Sequence, residues 1–221
     1  RKQAPITSDF VLPEKQEIFA NKPLDDNDQI GLQENVIIQQ YWRTFWDQCH
    51  VIQKQGDSNP LPFLHVKDWH DPFVRKDVLE IGPGDGRQMF TLATMANTYS
   101  IADISEAVVK KHKDKVAQSF LINTWNDDFD TSFDTICLWY VFHHVLNDEL
   151  EAFVSFLSRH LKDGGSLFFN VPTYRQEIPD ATNTTPYDIP KFKEQMLQLG
   201  FKTTGEFHQR YNNHVFKMVK V

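Results

Sequence analysis

Residues 78 to 86 read VLEIGPGDG, an apolar run that passes directly into a loop with glycine at Gly82, Gly84 and Gly86. A short, continuously apolar run is what a strand buried on both faces of a parallel sheet requires. Glycine lets the chain turn tightly and lets bare backbone approach a ligand, and a helix starting just beyond offers free N–H groups. The stretch therefore reads as strand, ligand loop and helix start.

Working outward, the alternation extends from Asp71-Pro72 to the end of the chain. DVLEI is a first strand, Arg87 to Ala96 a helix, YSIADI a second strand, and Ser105 to Lys115 a second helix with Ser105 as its N-cap. SFLIN is a third strand, and FDTICLWYVF a fourth, apolar enough for the middle of the sheet. Leu150, Phe153, Val154, Leu157 and Leu161 form one apolar stripe of a third helix, opened by a capping box of Asp148 and Glu151 and stopped by DGG. SLFFNV is the fifth strand. A polar loop from Pro172 to Ile189 leads into a helix that Pro190 opens and Gly200 ends. FKTTGEFHQR and HVFKMVKV flank Tyr211-Asn212-Asn213 with no room for a crossover helix, so they pair as an antiparallel hairpin. The predicted fold is α/β, a doubly wound, mostly parallel sheet with a C-terminal antiparallel hairpin.

Residues 71–221 form this domain, and residues 1–70 an N-terminal extension. Its first part, ending in NKPLDDNDQIG, is polar and rich in turn formers and reads as an arm. Glu34 to Lys54 carries Val36, Ile37, Trp42, Phe45, Trp46 and Val51 at near-helical spacing and reads as a helical cap.

The chain has 221 residues, of which 40% are hydrophobic, enough for one substantial core but short for two full domains. A formal charge of −7 argues against nucleic acid as the main partner, because polyanion binding shows itself as clustered Lys and Arg. Cys49 and Cys137 match neither a disulfide framework nor zinc-ligand spacing. With no apolar run of about 18 residues and no signal-peptide core in RKQAPITSDF, the expectation is a cytoplasmic protein without integral membrane contact.

In a doubly wound sheet, ligands bind beyond the carboxyl ends of the strands where strand order reverses, and the first strand's exit loop lies there. Asp103, at the end of the second strand, is placed to accept both hydroxyls of a ribose. A dinucleotide fingerprint is G-x-G-x-x-G/A, whereas GPGDGR has glycine at every second position. Glu80 also repels a pyrophosphate but suits a ligand with an ammonium group. S-adenosylmethionine carries an ammonium, a sulfonium and a ribose.

With VLEIGPGDG, IADIS, SFDTICLWYVFHHV, LKDGGSLFFNVP and FKEQMLQLGF in order, the chain from Asp71 to Val221 resembles the class I S-adenosylmethionine-dependent methyltransferases of the small-molecule branch. The resemblance implies a Rossmann-like sheet of seven strands with the last antiparallel. It also implies that Gly82, Gly84 and Gly86 pack against the cofactor, that Glu80 reaches its amino end, and that Asp103, with Ile104 beside it, holds the ribose. The adenine contact falls just past strand three, on Asn123 and Thr124, with Asp127 and Asp128 as the rival pair. Leu138 and Trp139 line the cofactor from strand four.

Methyl transfer needs alignment of two bound reactants, and a base only when the acceptor's proton has a high pKa. Candidates for that base are Tyr140, His143 and His144, with helix-entry packing as the competing role for His144. Tyr174, Arg175 and Tyr187, in the loop after strand five, are candidates for the acceptor site, and Asp180 stands beside them. Arg43 and Tyr41 are placed either as a lid over the cofactor carboxylate or on a solvated helix face. Tyr187 and Lys191 have the spacing of a short-chain dehydrogenase pair, but Pro190 breaks the helix that pair needs. NVPTY only faintly resembles the motif of amino-directed nucleic-acid methyltransferases. No metal site is expected.

The expected function is methyl transfer to an oxygen or nitrogen of a small polar acceptor such as a sugar, a polysaccharide end, a nucleotide sugar or a secondary metabolite. A protein or nucleic-acid methyltransferase, a nicotinamide-dependent oxidoreductase and a catalytically silent binding fold are the alternatives.

Overall fold

The computed structural model describes Arg43, Trp69 and residues 71–173, 187–209 and 213–221. The arm and most of the helical cap expected over residues 1–70 lie outside these residues; Arg43 is itself helical. The strands are β1 (Asp77–Ile81), β2 (Thr98–Asp103), β3 (Ser119–Leu121), β4 (Phe133–Leu138), β5 (Leu161–Pro172), β6 (Phe201–Gln209) and β7 (Asn213–Lys220). The helices are α1 (Met89–Met95), α2 (Glu106–His112), α3 (Leu150–His160) and α4 (Ile189–Gln198). The seven-stranded sheet runs β3-β2-β1-β4-β5-β7-β6. The first five strands are parallel, and β7 is antiparallel to both β5 and β6. Strand order reverses between β1 and β4, as the doubly wound reading requires.

Residues two apart on a strand share a face, and here the parity sorts the core into two layers. Leu79 and Ile81 of β1 and Ile136 and Leu138 of β4 pack with Phe153 and Leu157 of α3 and Phe192 and Met196 of α4. Val78 and Cys137 face the other way, with Ile101 and Phe168, onto Met89 and Leu92 of α1. Glu80 shares the parity of Val78, so its carboxyl enters that second layer.

Three of the differences from the sequence expectation have a clear local reason. The fourth strand stops at Leu138 instead of continuing to Phe142, because Tyr140 turns the backbone at φ +58° and donates its N–H to Asn170 Oδ1 at 2.7 Å. The capping box of Asp148 and Glu151 does not form; the cap position is Glu149, whose carboxylate reaches back to accept the N–H of Leu146 at 3.2 Å. DGG does not stop α3, which already ends at His160. Those residues instead make a bulge inside β5, where pairing jumps from Phe133–Leu161 to Thr135–Ser166 and Gly164 turns at φ +73°. Elsewhere the local signals hold. Ser105 caps α2 by accepting the Val108 N–H, and Asp188 caps α4 by accepting the Lys191 N–H at 3.1 Å, with Pro190 in the first turn. Tyr187 precedes that cap, so it shares no helix with Lys191.

Candidate active site

The loop after β1 is built on left-handed backbone, with Gly82, Gly84 and Gly86 at φ +68°, +51° and +79°. Gly82 donates its N–H to Ala102 O at 2.9 Å, tying the loop to β2, and Gly86 closes a turn by donating to Pro83 O at 2.8 Å. A Cβ at Gly82 would stand 2.6 Å from Val141 Cγ2, and one at Gly86 would stand 2.9 Å from His112 Cε1. At Gly84 a Cβ would meet nothing within 4 Å. The outer glycines are thus required by close packing, and the middle one borders open space.

Beneath the loop Glu80 is 2% exposed and takes the hydroxyl hydrogen of Tyr99. Burial pushes its carboxyl up to about 7, with the Asp103 charge adding to the rise and the Tyr99 hydrogen bond opposing it. Asp103 ends β2, also buried, and its Oδ1 accepts the Ser105 N–H at 2.8 Å, which fixes the carboxyl at the start of α2. Ile104 beside it packs partly into the main core.

Past β3, Asp127 organises the turn: its carboxylate accepts the Asn123 N–H at 2.7 Å and the Thr124 hydroxyl at 2.8 Å. Arg43 reaches this turn from the N-terminal segment, donating to Ile122 O at 2.8 Å, to Asn123 O at 3.2 Å and to Asn123 Oδ1 at 3.4 Å. Arg43 therefore lies against the loop after β3. Asp128 turns away, accepting the Asp130 N–H and standing 3.8 Å from His160. Leu138 is fully buried and Trp139 nearly so where β4 leaves the sheet.

His143 and His144 follow in a 3-10 turn, Phe142–His144. Burial lowers both, His143 to about 4 and His144 to about 3, with the neighbouring His143 adding to the second shift. Both rings are neutral at neutral pH. His143 Nε2 lies 2.9 Å from Asn213 Oδ1, and an amide oxygen only accepts, so that nitrogen carries the hydrogen. Asn170 Nδ2 donates to the same oxygen at 3.5 Å and Asn170 Oδ1 holds Tyr140, so a polar chain links β4, β5 and β7. The Tyr140 ring is 51% exposed and its centroid is 5.2 Å from that of His143. Asn170 and Asn213, both buried, were not singled out from the sequence. The available signal was an amide inside the apolar run LFFNV, a residue type that burial penalises unless it is paired.

Tyr187 is 5% exposed, and its hydroxyl donates to Val145 O at 3.1 Å with Phe142 O at 3.4 Å. It sits in the core beneath the histidine turn and braces it. Tyr174 and Arg175, the other expected acceptor residues, lie outside the described residues, as does Asp180. Among the described residues no group of three or more His, Cys, Asp or Glu side chains is placed to hold a metal ion. None of the described helices is long and apolar enough to cross a membrane.

A family model described as a methyltransferase domain matches residues 61–210. The chain belongs to this methyltransferase-domain family. A phosphoethanolamine N-methyltransferase of Triticum aestivum is 29% identical over 135 residues, 57% of this chain and 27% of that protein. An uncharacterised methyltransferase of Bacillus cereus is 31% identical over 136 residues, 58% of this chain and 62% of that protein. The matched stretch thus spans less than two thirds of either relative. Among solved structures, a 1,6-didemethyltoxoflavin-N1-methyltransferase of Burkholderia thailandensis, with 1,6-didemethyltoxoflavin and S-adenosylhomocysteine bound, superposes with TM-score 0.57 at 15% identity. That match covers 67% of this chain and 72% of the other. The magnesium protoporphyrin IX methyltransferase of Synechocystis PCC 6803, with S-adenosylhomocysteine bound, gives TM-score 0.55 at 15% identity over 93% of this chain and 92% of its own. The methyltransferase domain therefore has the class I fold, and its seven strands are in the arrangement that the sequence resemblance implied.

Proposed function

We propose that this protein transfers a methyl group from S-adenosylmethionine to a nitrogen or oxygen of a small polar acceptor. The observation that carries the reading is the juxtaposition, at the reversal of strand order, of a left-handed glycine loop open at Gly84 with two buried acids, Glu80 and Asp103. The open side of Gly84 fits a ligand against bare backbone, and the two acids match the cofactor's ammonium and ribose. When bound, the cofactor supplies a methyl on a sulfonium, already activated toward displacement.

In this reading Glu80, charged or proton-sharing near neutral pH, faces the amino end, and Asp103, with Ile104 beside it, takes ribose hydroxyls. Gly82, Gly84 and Gly86 give the curvature, while Leu138 and Trp139 exclude water from one side of the site. Asn123 and Thr124 border the adenine. With Asn123 Oδ1 directed to Arg43, its amide N–H group is the better candidate for an adenine ring nitrogen. Tyr140, His143 and His144 stand on the acceptor side, where a neutral imidazole orients an amine or hydroxyl by accepting its hydrogen. Tyr174 and Arg175 complete the acceptor site, and Tyr187 supports the turn that carries the histidines. The wheat and Burkholderia proteins, both N-methyltransferases by name, favour nitrogen as the methylated atom.

Titration calorimetry with S-adenosylmethionine, S-adenosylhomocysteine and NADH tests the reading. The first two are expected to bind, and Asp103→Ala is expected to weaken them by about 1–3 kcal/mol through loss of a buried acceptor. Binding of NADH alone would favour an oxidoreductase, and no binding at all a silent fold. In a methyl-uptake assay, His144→Ala lowers turnover far more than cofactor affinity if the ring acts on the acceptor.

A further inference from the structure

The glycine loop is gripped by a second element. His112, the last residue of α2, sets its Nε2 2.9 Å from Gly84 O, and because a carbonyl only accepts, that nitrogen carries the hydrogen. The side chain is 1% exposed, and its ring packs against Gly86, with Cε1 2.9 Å and Nε2 3.4 Å from where a Cβ at that glycine would stand. Burial lowers its pKa, which keeps the ring neutral and the donor on one nitrogen. One residue earlier, Lys111 Nζ stands 3.5 Å from Asp85 Oδ1, on a side chain only 5% exposed. Gly84, Asp85 and Gly86 are thus all in contact with the last turn of α2. The opposite end of the same helix begins at the other half of the site, where Asp103 Oδ1 accepts the Ser105 N–H and Ser105 Oγ accepts the Val108 N–H at 3.3 Å. The helix has 7 residues, a rigid rod about 10 Å long.

We propose that His112 is a positioning residue for the cofactor: its Nε2–H bond to the Gly84 carbonyl fixes the curvature of the glycine loop, and α2 ties that loop to Asp103 so that both parts of the site form as one unit. The proposal rests on the reading of this site as the S-adenosylmethionine site. His112 acts through the backbone of Gly84 and not by touching the ligand.

The test compares wild type with His112→Leu, His112→Gln and Lys111→Met by two measurements. One is S-adenosylhomocysteine titration. The other is hydrogen exchange at the Gly86 amide without cofactor, a group held by Pro83 O in the same loop. His112→Leu keeps apolar bulk and removes the donor, while the glutamine amide reaches to about the position of Nε2. His112→Leu is expected to weaken binding about threefold to tenfold, the range of one net hydrogen bond, and to speed Gly86 exchange. His112→Gln recovers most of both losses. Lys111→Met, a surface change that leaves the fold intact, speeds exchange by a smaller factor. Wild-type affinity and exchange in His112→Leu would overturn the proposal, as would a His112→Gln variant no better than His112→Leu, which would make the ring mere packing. If wild type binds no S-adenosylhomocysteine while exchange still responds in this order, the cofactor reading fails and the grip on the loop stands.

Discussion

Gly82→Ala and Gly84→Ala separate two reasons for a glycine. Both residues sit at positive φ, +68° and +51°, so an alanine at either carries left-handed strain of about 1–2 kcal/mol. Part of that is offset, by roughly 0.4–1 kcal/mol, because alanine also restricts the unfolded chain. At Gly84 the new methyl enters open space and nothing more is added. At Gly82 it meets Val141 Cγ2 at 2.6 Å, an overpacking that costs about 1–3 kcal/mol. Gly82→Ala is therefore expected to lose about 2–4 kcal/mol, and Gly84→Ala about 1 kcal/mol. Val141 Cβ stands 4.0 Å from the new methyl, so Val141→Ala leaves an ordinary contact in place of the clash. Urea unfolding of the double-mutant cycle should show the pair Gly82→Ala and Val141→Ala coupled by about 1–3 kcal/mol in the favourable direction. Additivity within about 0.5 kcal/mol would mean that Val141 is not what excludes a side chain at position 82. The same variants divide on function: Gly84→Ala, the milder of the two for stability, should weaken S-adenosylhomocysteine binding. Unchanged affinity would remove Gly84 from the proposed ligand surface.

Three further outcomes follow from buried groups. His143 and His144 have depressed pKa values, so their contribution to stability is present above about pH 6.5 and is lost as pH falls toward 4 and 3, where the unfolded chain binds protons that the folded one refuses. Between about pH 7 and pH 5 this amounts to roughly 2 kcal/mol for each ring; a wild-type urea midpoint that falls no further between pH 7 and pH 5 than that of the His143→Gln, His144→Gln variant would contradict it. Glu80 works with the opposite sign, since a carboxyl raised to about 7 contributes stability below about pH 4.5 that fades as pH rises through 7; Glu80→Gln should therefore steepen the acid loss, and a shallower loss would refute the assignment. Tyr187→Phe keeps the packing and removes the bond to Val145 O, so the melting temperature should drop by about 2–4 °C, the equivalent of about 1 kcal/mol; an unchanged melting temperature with a raised KM for the acceptor would instead make Tyr187 a substrate contact.

What was legible in the sequence is what one segment dictates by itself. The three loop glycines announce left-handed backbone because other residues are strained there, and the apolar run before them announces a buried strand because nothing else tolerates both faces. Ser105 was readable as a cap because the donor it satisfies lies three residues away. Where two local signals compete, the tertiary partner decides. DGG has the composition of a helix stop, yet β4 pairs with Leu161 and Ser166 on either side of it, and the glycines are consumed by the bulge between those pairings.

The site divides along the same line. Glu80 and Asp103 are fixed by strand position, so their place beside the loop could be inferred, whereas their environments could not: the proton that Tyr99 offers Glu80 crosses between strands. The chain from Tyr140 through Asn170 and Asn213 to His143 joins residues up to 70 positions apart, and the hold of Arg43 on Asn123 spans 80. No periodicity encodes such contacts. Tyr187 illustrates the consequence: in a polar loop a tyrosine reads as a binding group, but its hydroxyl is directed inward to the backbone of the histidine turn. That inward direction bears on the acceptor. On the proposed reading of the site, with Tyr187, Asn170 and Asn213 engaged in holding the turn, the exposed Tyr140 ring is a described aromatic left at its rim to meet an acceptor.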